Sequence, residues 1–335
     1  MNYDIAVIGN DEAAFEMLCL AARGRRRAVS ILPETRHSAW IVGQSLRRLV
    51  SSLLVDRTVG RRKMLARSGS PKLLRSLVAR AVSQETNDHV RLLESLGVEV
   101  LVGEARFTSS KQLTVSMGTV CRREFVSAQH IVIGTGVRRT AMHRRLGLIP
   151  FHTTEALLSR RTLPKEVCFV GGGDVGAGMA ALVSLFGVRT SHVARTDRSS
   201  VLLELAEASG VTIGTHPADV GLANFESPLS QVRHDVVDCR KSVGFSNHLS
   251  LNVIGVEPDE HGQLWCASNF ETWCPGVFGI GDVVGFSPDT ALHPSVQADR
   301  IMHRILHSIR RPHFAEAFLR RSEPAVEYPR LDSRL

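Results

Sequence analysis

A glycine-rich turn in the middle of the chain constrains the fold more strongly than any other segment. Residues 167–170 form a short apolar run, and glycines follow at the spacing Gly-x-Gly-x-x-Gly before a helical stretch that continues to residue 185. The first glycine permits a tight turn, the second lets the backbone approach a pyrophosphate, and the third lets the helix pack closely on the strand. The free N–H groups at the helix N-terminus favour the anionic pyrophosphate. A turn without a ligand is the alternative, but we expect a dinucleotide to bind at Gly171, Gly173, Asp174, Val175 and Gly176.

The N-terminus repeats this plan. Residues 3–8 form an apolar strand that ends at Gly9, a helical stretch covers residues 13–22, and a second apolar strand covers residues 28–32. Glu34 closes that second strand, about where the acid that bonds the ribose of a dinucleotide belongs. Two strand–turn–helix–strand units in one chain predict an α/β protein with two dinucleotide-binding domains.

Two further segments continue the pattern. Residues 131–136 are a buried-strand pattern that ends in Gly-Thr-Gly, and residues 275–282 are another strand, which ends in Gly-Asp. Together with the two turns, these segments resemble the pyridine nucleotide-disulfide oxidoreductase family of flavoproteins. Within that family, residues 89–107, 154–158 and 249–264 are most similar to the soluble (Si-specific) pyridine nucleotide transhydrogenases and the dihydrolipoamide dehydrogenases.

The resemblance implies two Rossmann-like, three-layer domains of the glutathione reductase type, one for FAD and one for NAD(P)H. The first turn and the terminal Gly-Asp would hold FAD, and Asp282 would bond the ribityl hydroxyls of the flavin. The segment around His293 is similar to the one whose helix faces the flavin ring. The residues implied for FAD are Gly9, Glu34, Thr135, Gly136, Gly281, Asp282 and His293.

Two departures from the family concern the flavin side. The opening turn reads Gly-Asn-Asp-Glu-Ala-Ala, so that Asp11 stands where the second glycine would touch phosphate, and its charge would repel a pyrophosphate. The segment that carries the redox cysteine pair in the family, residues 37–46 here, has no cysteine. The sequence therefore excludes dithiol chemistry and identifies no catalytic residue.

Other departures concern the nicotinamide domain and the end of the chain. Gly178 stands where an acid often follows the third glycine, and Phe245 replaces the arginine of the family's Gly-Arg motif. The chain stops at Leu335, about where the C-terminal dimerisation domain of the family begins. We therefore expect that domain to be absent and the usual homodimer not to form.

Composition narrows the class of protein further. The 335 residues, 43% of them hydrophobic, are enough for two cores. No apolar run approaches the ~20 residues of a membrane helix and no signal peptide opens the chain, so a cytoplasmic protein away from membranes is expected. The net charge of +8 comes from scattered basic residues without interleaved aromatics, which argues against nucleic-acid binding. The six cysteines show no metal-ligand spacing and the 14 histidines are unclustered, so no metal is expected.

The nicotinamide cofactor is suggested by the strand that follows the central turn. Arg195 comes directly after this strand, residues 190–194, and Arg198 is close behind. An arginine at this place accommodates the 2′-phosphate of NADP, whereas an acid would select NAD. We favour NADPH and leave NADH open, with two solvated arginines as the alternative interpretation.

The predicted layout has four parts. Residues 1–142 form the first segment of the FAD-binding domain, residues 143–245 the inserted NAD(P)-binding domain, and residues 246–310 the return to the FAD-binding domain. Residues 311–335 form a charged C-terminal tail.

Two functions fit this layout. The first is an FAD-dependent NAD(P)H oxidoreductase that passes hydride from NAD(P)H to flavin and on to a second acceptor, as a transhydrogenase or diaphorase does. The second is a degenerate, non-catalytic relative that binds a nucleotide as a sensor or a partner-binding module. Asp11, Phe245 and the missing dimerisation domain favour the second. The intact Gly-Asp at 281–282 and Gly-Thr-Gly at 134–136 incline the sequence toward the oxidoreductase.

Overall fold

The computed structural model describes residues 2–34, 37–55, 65, 69–118, 122–139, 151–194, 200–215, 235–239 and 242–307. Two largely parallel sheets organise these residues, one for each glycine-rich turn. The helices are α1 (Glu12–Arg23), α2 (Ala39–Val55), α3 (Pro71–Ser95), α4 (Thr154–Leu158), α5 (Gly173–Leu185), α6 (Val201–Ala208) and α7 (Pro294–Leu306). None of these described helices is long and apolar enough to span a membrane.

The first sheet is mixed, with a parallel part and an antiparallel part. Its strands are β1 (Asn2–Ile8), β2 (Ala28–Leu32), β3 (Glu99–Val102), β4 (Glu104–Ser109), β5 (Gln112–Met117), β6 (Arg122–Ile133) and β15 (Val277–Gly279). Their order is β3-β2-β1-β6-β5-β4, and β15 pairs with the C-terminal end of β6. β1, β2, β3, β6 and β15 are parallel, whereas β4, β5 and β6 form an antiparallel meander. The carboxyl ends of β1, β6 and β15 therefore meet at one edge.

The central strand of this sheet is apolar because both of its faces are covered. Ile5, Ala6 and Val7 of β1 are 0% exposed. α1 and α7 lie against each other and share this core, and strands that are covered on both faces have continuous apolar runs rather than an alternating pattern.

The second sheet is parallel throughout. Its strands are β8 (Phe151–His152), β9 (Glu166–Val170), β10 (Arg189–Val193), β11 (Thr212–Gly214) and β12 (Asp235–Asp238), in the order β11-β10-β9-β12-β8. Two small sheets complete the described residues: β7 (Val137–Arg139) with β13 (Ser242–Gly244), and β14 (Leu264–Trp265) with β16 (Val284–Phe286).

Two helices from the first part of the chain pack into the core of the second sheet. Leu46 and Val50 of α2 and Leu74 of α3 are fully buried in one apolar cluster with Phe169 of β9 and Leu182 of α5. The contact is close, because a Cβ on Gly178 of α5 would lie 2.8 Å from the Leu46 Cβ. The domain boundaries read from the sequence stay predictions, and the boundary near residue 142 and the tail lie outside the described residues.

Candidate functional site

The central turn has the backbone geometry that a dinucleotide site needs. β9 leads into Gly171, Gly172 and Gly173, which have φ of 68°, 85° and 51°, and α5 begins there. A Cβ on Gly176 would lie 2.1 Å from the Gly171 carbonyl oxygen, so only glycine lets helix and strand approach this closely. Among the described residues, a Cβ on Gly173 would meet nothing within 4 Å. Within this part of the chain, the backbone at Gly173 therefore faces open space that a pyrophosphate could enter.

The N-terminus of α5 is available to an anion. Gly172 precedes the helix and supplies no side-chain cap, so the first N–H groups lack the partner that a Ser or Asp would provide. Asp174 is exposed, and its carboxylate accepts a hydrogen bond from the Ser200 hydroxyl at 2.5 Å. Val175, the next residue, is buried and packs into the second core. The Asp174 side chain is thus hydrogen-bonded to the residue that caps α6, next to the N-terminus of α5.

A buried histidine forms a hydrogen bond to the central turn. His192 lies on β10 and is 1% exposed, and its Nε2–H donates a hydrogen bond to the Gly171 carbonyl at 3.1 Å. Burial lowers the pKa of this imidazole, which favours the neutral ring, and Nδ1 has no hydrogen-bond partner within the described residues. His192 is not among the residues predicted from the sequence, although its position on the strand that follows α5 indicates that it lies near the central turn. Arg195 and Arg198, which follow β10, lie outside the described residues, and the preference for NADPH stays a prediction.

Most of the residues predicted for FAD come together at the carboxyl edge of the first sheet. Gly9 follows β1 with a φ of 118°, and a Cβ there would lie 1.9 Å from the Gly134 carbonyl oxygen. Thr135 and Gly136 continue this turn after β6. Gly281 and Asp282 follow β15, and the Gly281 N–H donates to the buried Gln297 side chain of α7 at 2.9 Å. The turns that the sequence predicts for FAD therefore converge at this edge and form a frame around residue 11.

Glu34 and His293 lie at the edge of this frame. Glu34 follows β2 and is exposed. His293 is also exposed and begins α7, where its Nδ1 accepts a hydrogen bond from the Ser295 N–H at 3.4 Å. The imidazole faces Glu12 of α1 and partly offsets the rise in the pKa of Glu12 that burial causes.

Asp11 fills the centre of this frame. Its carboxyl group is 6% exposed, and Oδ1 caps α1 by accepting a hydrogen bond from the Ala14 N–H at 2.8 Å. The glycines of the frame surround it: a Cβ on Gly281 would lie 2.2 Å from Oδ2, and a Cβ on Gly136 would lie 3.6 Å from the Asp11 Cβ. In an open turn of this type the pyrophosphate takes this place at the helix N-terminus. As folded, the first turn does not fit the pyrophosphate of FAD.

The protonation of Asp11 is strongly perturbed. Burial raises the pKa of this carboxyl well above 3.8, and the charge of Asp282 raises it further, while the backbone N–H groups of Ala14 and Asp282 lower it. Oδ2 forms no hydrogen bond of ordinary geometry with the described residues. A phosphate bound here would place its negative charge beside a carboxyl group that is already desolvated.

The neighbouring space is also filled. A cavity beside the turn has room for about one water molecule. The Phe245 ring stacks on His248 there at 4.0 Å between centroids, at the position of the family's arginine. The lining also includes Gly9, Pro33, Glu104, Ala105 and Thr135.

The segment without redox cysteines carries an aromatic cluster. Trp40 at the start of α2 packs against Phe15 at 5.5 Å and against His89 at 4.7 Å between ring centroids. The Ser38 hydroxyl donates to the Asn10 carbonyl at 2.7 Å and ties this segment to the first turn. The five described cysteines are buried and form no disulfide, and burial raises the pKa of the Cys266 thiol to about 12. Within the described residues, no cluster of potential ligands could hold a metal ion.

Comparison with known proteins identifies the family. The sequence pattern of the pyridine nucleotide-disulphide oxidoreductases matches residues 3–302, and the chain belongs to that family. The soluble pyridine nucleotide transhydrogenase of Pseudomonas putida KT2440 is 23% identical over 336 residues, which cover 85% of this chain and 67% of the relative. The soluble pyridine nucleotide transhydrogenase of Chromohalobacter salexigens is 25% identical over 321 residues, with the same coverage.

A solved structure agrees on the fold. The HOCl-induced flavoprotein disulfide reductase RclA from Escherichia coli superposes with a TM-score of 0.57 at 16% identity, over 92% of this chain and 72% of that one. The resemblance to this family read from the sequence and the Rossmann-like α/β fold are thus confirmed. The family implies FAD and NAD(P)H binding and supports NAD(P)H-linked flavoprotein oxidoreduction as the general class of chemistry.

Proposed function

We propose that this chain is a nucleotide-binding relative of the family, which binds NAD(P)(H) at the central turn and does not turn over as a flavoenzyme. The observation that carries the proposal is the contrast between the two turns. Gly173 faces open space at the second position of the central motif, whereas Asp11 fills the same position of the first motif. The nucleotide would then act as a signal or as a stabiliser of a partner-binding state.

The chemistry of the chain supports a binding role. Hydride from NAD(P)H needs an acceptor, and in this family the flavin supplies it. The described cysteines form no disulfide, and a thiol is already reduced and cannot accept a hydride in place of the flavin. Binding at the central turn needs only the backbone N–H groups of α5, the open space at Gly173 and the turn held by His192.

The test is a spectrum and a titration of the purified full-length protein. We expect no visible flavin absorption, and a saturable change in NADPH or NADH fluorescence. Gly173→Asp is the matched variant, because it places at the second turn the residue that the first turn already has. The φ of 51° at residue 173 strains an L residue, but aspartate tolerates this left-handed region better than most, and a Cβ there meets nothing within 4 Å among the described residues. This variant should abolish the fluorescence change and leave the far-UV circular dichroism unchanged. A titration that Gly173→Asp does not alter would refute the central turn as the binding site.

An FAD-dependent NAD(P)H oxidoreductase is the second candidate. The converging turns at Gly9, Gly136 and Gly281 favour it, since they form the frame that a flavin nucleotide uses. The same spectrum separates the two candidates. Flavin bands that bleach when NADPH is added without oxygen would establish the oxidoreductase and replace the binding role.

A further inference from the structure

We propose that the Asp11 carboxyl group is an internal ligand, which occupies the diphosphate place of the first nucleotide-binding unit and keeps that unit closed. The unit would then be a latent diphosphate site, and a single substitution at residue 11 would open it. This inference concerns the first turn alone and does not depend on nucleotide binding at the central turn.

The contacts of Asp11 are those of a ligand rather than of an ordinary cap. The group sits where three glycine backbones converge, with the ideal Cβ positions of Gly134, Gly136 and Gly281 within 3.8 Å of its carboxyl oxygens. An ordinary capping residue has no such surroundings. Ser70, which caps α3, is half-buried, and among the described residues a Cβ on the neighbouring Gly69 would meet nothing within 4 Å. Glycines around a helix N-terminus serve to admit an anion, and here the carboxyl group of Asp11 occupies that place.

The orphaned oxygen supports the same conclusion. Oδ1 is bonded to the Ala14 N–H, but Oδ2 is buried without a hydrogen bond of ordinary geometry. A residue kept only for capping would leave its second oxygen in water, because an unsatisfied buried acceptor costs about 1–3 kcal/mol. The carboxyl group is therefore held in this place by the surrounding backbone, and the N–H groups of Ala14 and Asp282, which both lower its pKa, are the donors directed at it.

The experiment measures whether inorganic pyrophosphate stabilises the protein once Asp11 is removed. All variants carry Gly173→Asp, so that the central turn does not contribute. Asp11→Gly opens the first turn, and Asp11→Asn is the matched control because asparagine caps a helix about as well as aspartate and still fills the place. Sodium chloride of equal ionic strength serves as the blank, which removes general attraction to a chain of net charge +8.

We expect pyrophosphate at ten times its Kd to raise the melting temperature of Asp11→Gly by about 2 °C and to leave Asp11→Asn and the parent unchanged. If Asp11→Gly does not fold alone, pyrophosphate but not sodium chloride should restore its far-UV circular dichroism. The absence of any response in Asp11→Gly would overturn the proposal. An equal response in Asp11→Asn would overturn it as well, because a filled turn would then bind. Failure of the NAD(P)H titration in the otherwise unchanged protein concerns the central turn and leaves this result intact.

Discussion

Gly178 tests the close packing of α2 against α5. The residue lies in the middle of α5, and a Cβ there would lie 2.8 Å from the Leu46 Cβ on α2 and 3.2 Å from the Leu202 Cδ2 on α6. Real Cβ atoms essentially never come within 3.0 Å of another heavy atom, so Gly178→Ala forces one helix to shift. Glycine therefore stands here because of packing, where the family often has an acid.

The magnitude follows from two opposing effects. Alanine gains about 0.8–1.0 kcal/mol over glycine in a helix interior, whereas over-packing a core costs about 1–3 kcal/mol. Gly178→Ala should thus lower the free energy of unfolding by about 0–2 kcal/mol, and Gly178→Glu by more, because it also buries a charge. Gly43 of α2 is the matched control, since a Cβ there would lie 3.5 Å from the Asp174 Cβ, an ordinary contact. Gly43→Ala should raise the free energy of unfolding by about 0.5–1 kcal/mol.

Urea unfolding, followed by tryptophan fluorescence and by circular dichroism, measures these changes. Trp40 lies at the start of α2 and reports on that helix directly. The midpoint should rise for Gly43→Ala and fall for Gly178→Ala, with unchanged slopes, so that the two variants move in opposite directions. Equal stabilisation by both substitutions would refute the packing of α2 on α5, because it would mean that residue 178 has room for a methyl group.

Three further predictions follow from buried polar groups. Because the pKa of Asp11 is raised in the folded protein, the folded state holds its proton longer than the unfolded state, and the stability of the wild type should fall as pH rises above about 3.8. The Asp11→Asn variant should not lose stability in this way, so the urea midpoints of the wild type and of the variant should diverge as the pH rises from 4 to 8. A difference between the two midpoints that does not change with pH would contradict a buried carboxyl group that ionises. Glu271→Ala removes the 3% exposed partner of Arg304, 3.1 Å away, and should cost about 3 kcal/mol in the same assay, whereas a cost below about 1 kcal/mol would indicate a solvated pair. His192→Phe leaves the Gly171 carbonyl without its donor and should weaken NADPH binding about tenfold in the fluorescence titration, with an unchanged Kd as the contrary result.

The sequence predicts the parallel strands and the turns after them well, because both depend on local signals. Buried parallel strands have unbroken apolar runs, and β1, β9, β15 and the end of β6 lie where such runs meet glycines. The sequence also predicts the role of Gly176 from its spacing to Gly171. A Cβ on Gly176 would lie 2.1 Å from the Gly171 carbonyl oxygen, so no side chain fits there.

Contacts between distant parts of the chain are not readable in this way. The apolar face of α2 predicts that the helix is buried, but its periodicity says nothing of the partner, and that partner is the second core. The charge of Asp11 predicts that the turn repels a phosphate. The sequence does not predict that the carboxyl group itself takes the place of the ligand, because this depends on backbone segments that follow three separate strands. His192 escapes notice for the same reason, because its hydrogen bond to Gly171 spans 21 residues.

The placement of α2 and α3 in the second core has a consequence for how the protein is made. Gly178 follows Leu46 by roughly 130 residues, which at synthesis rates of about 5–20 residues per second takes roughly 7–26 s. During that interval α2 and α3 can pack only on each other, and the apolar surface that β9 and α5 later cover stays exposed on the nascent chain. Newly made molecules should therefore depend on chaperones early in synthesis, and slow translation between residues 95 and 167 should lower the yield of folded protein.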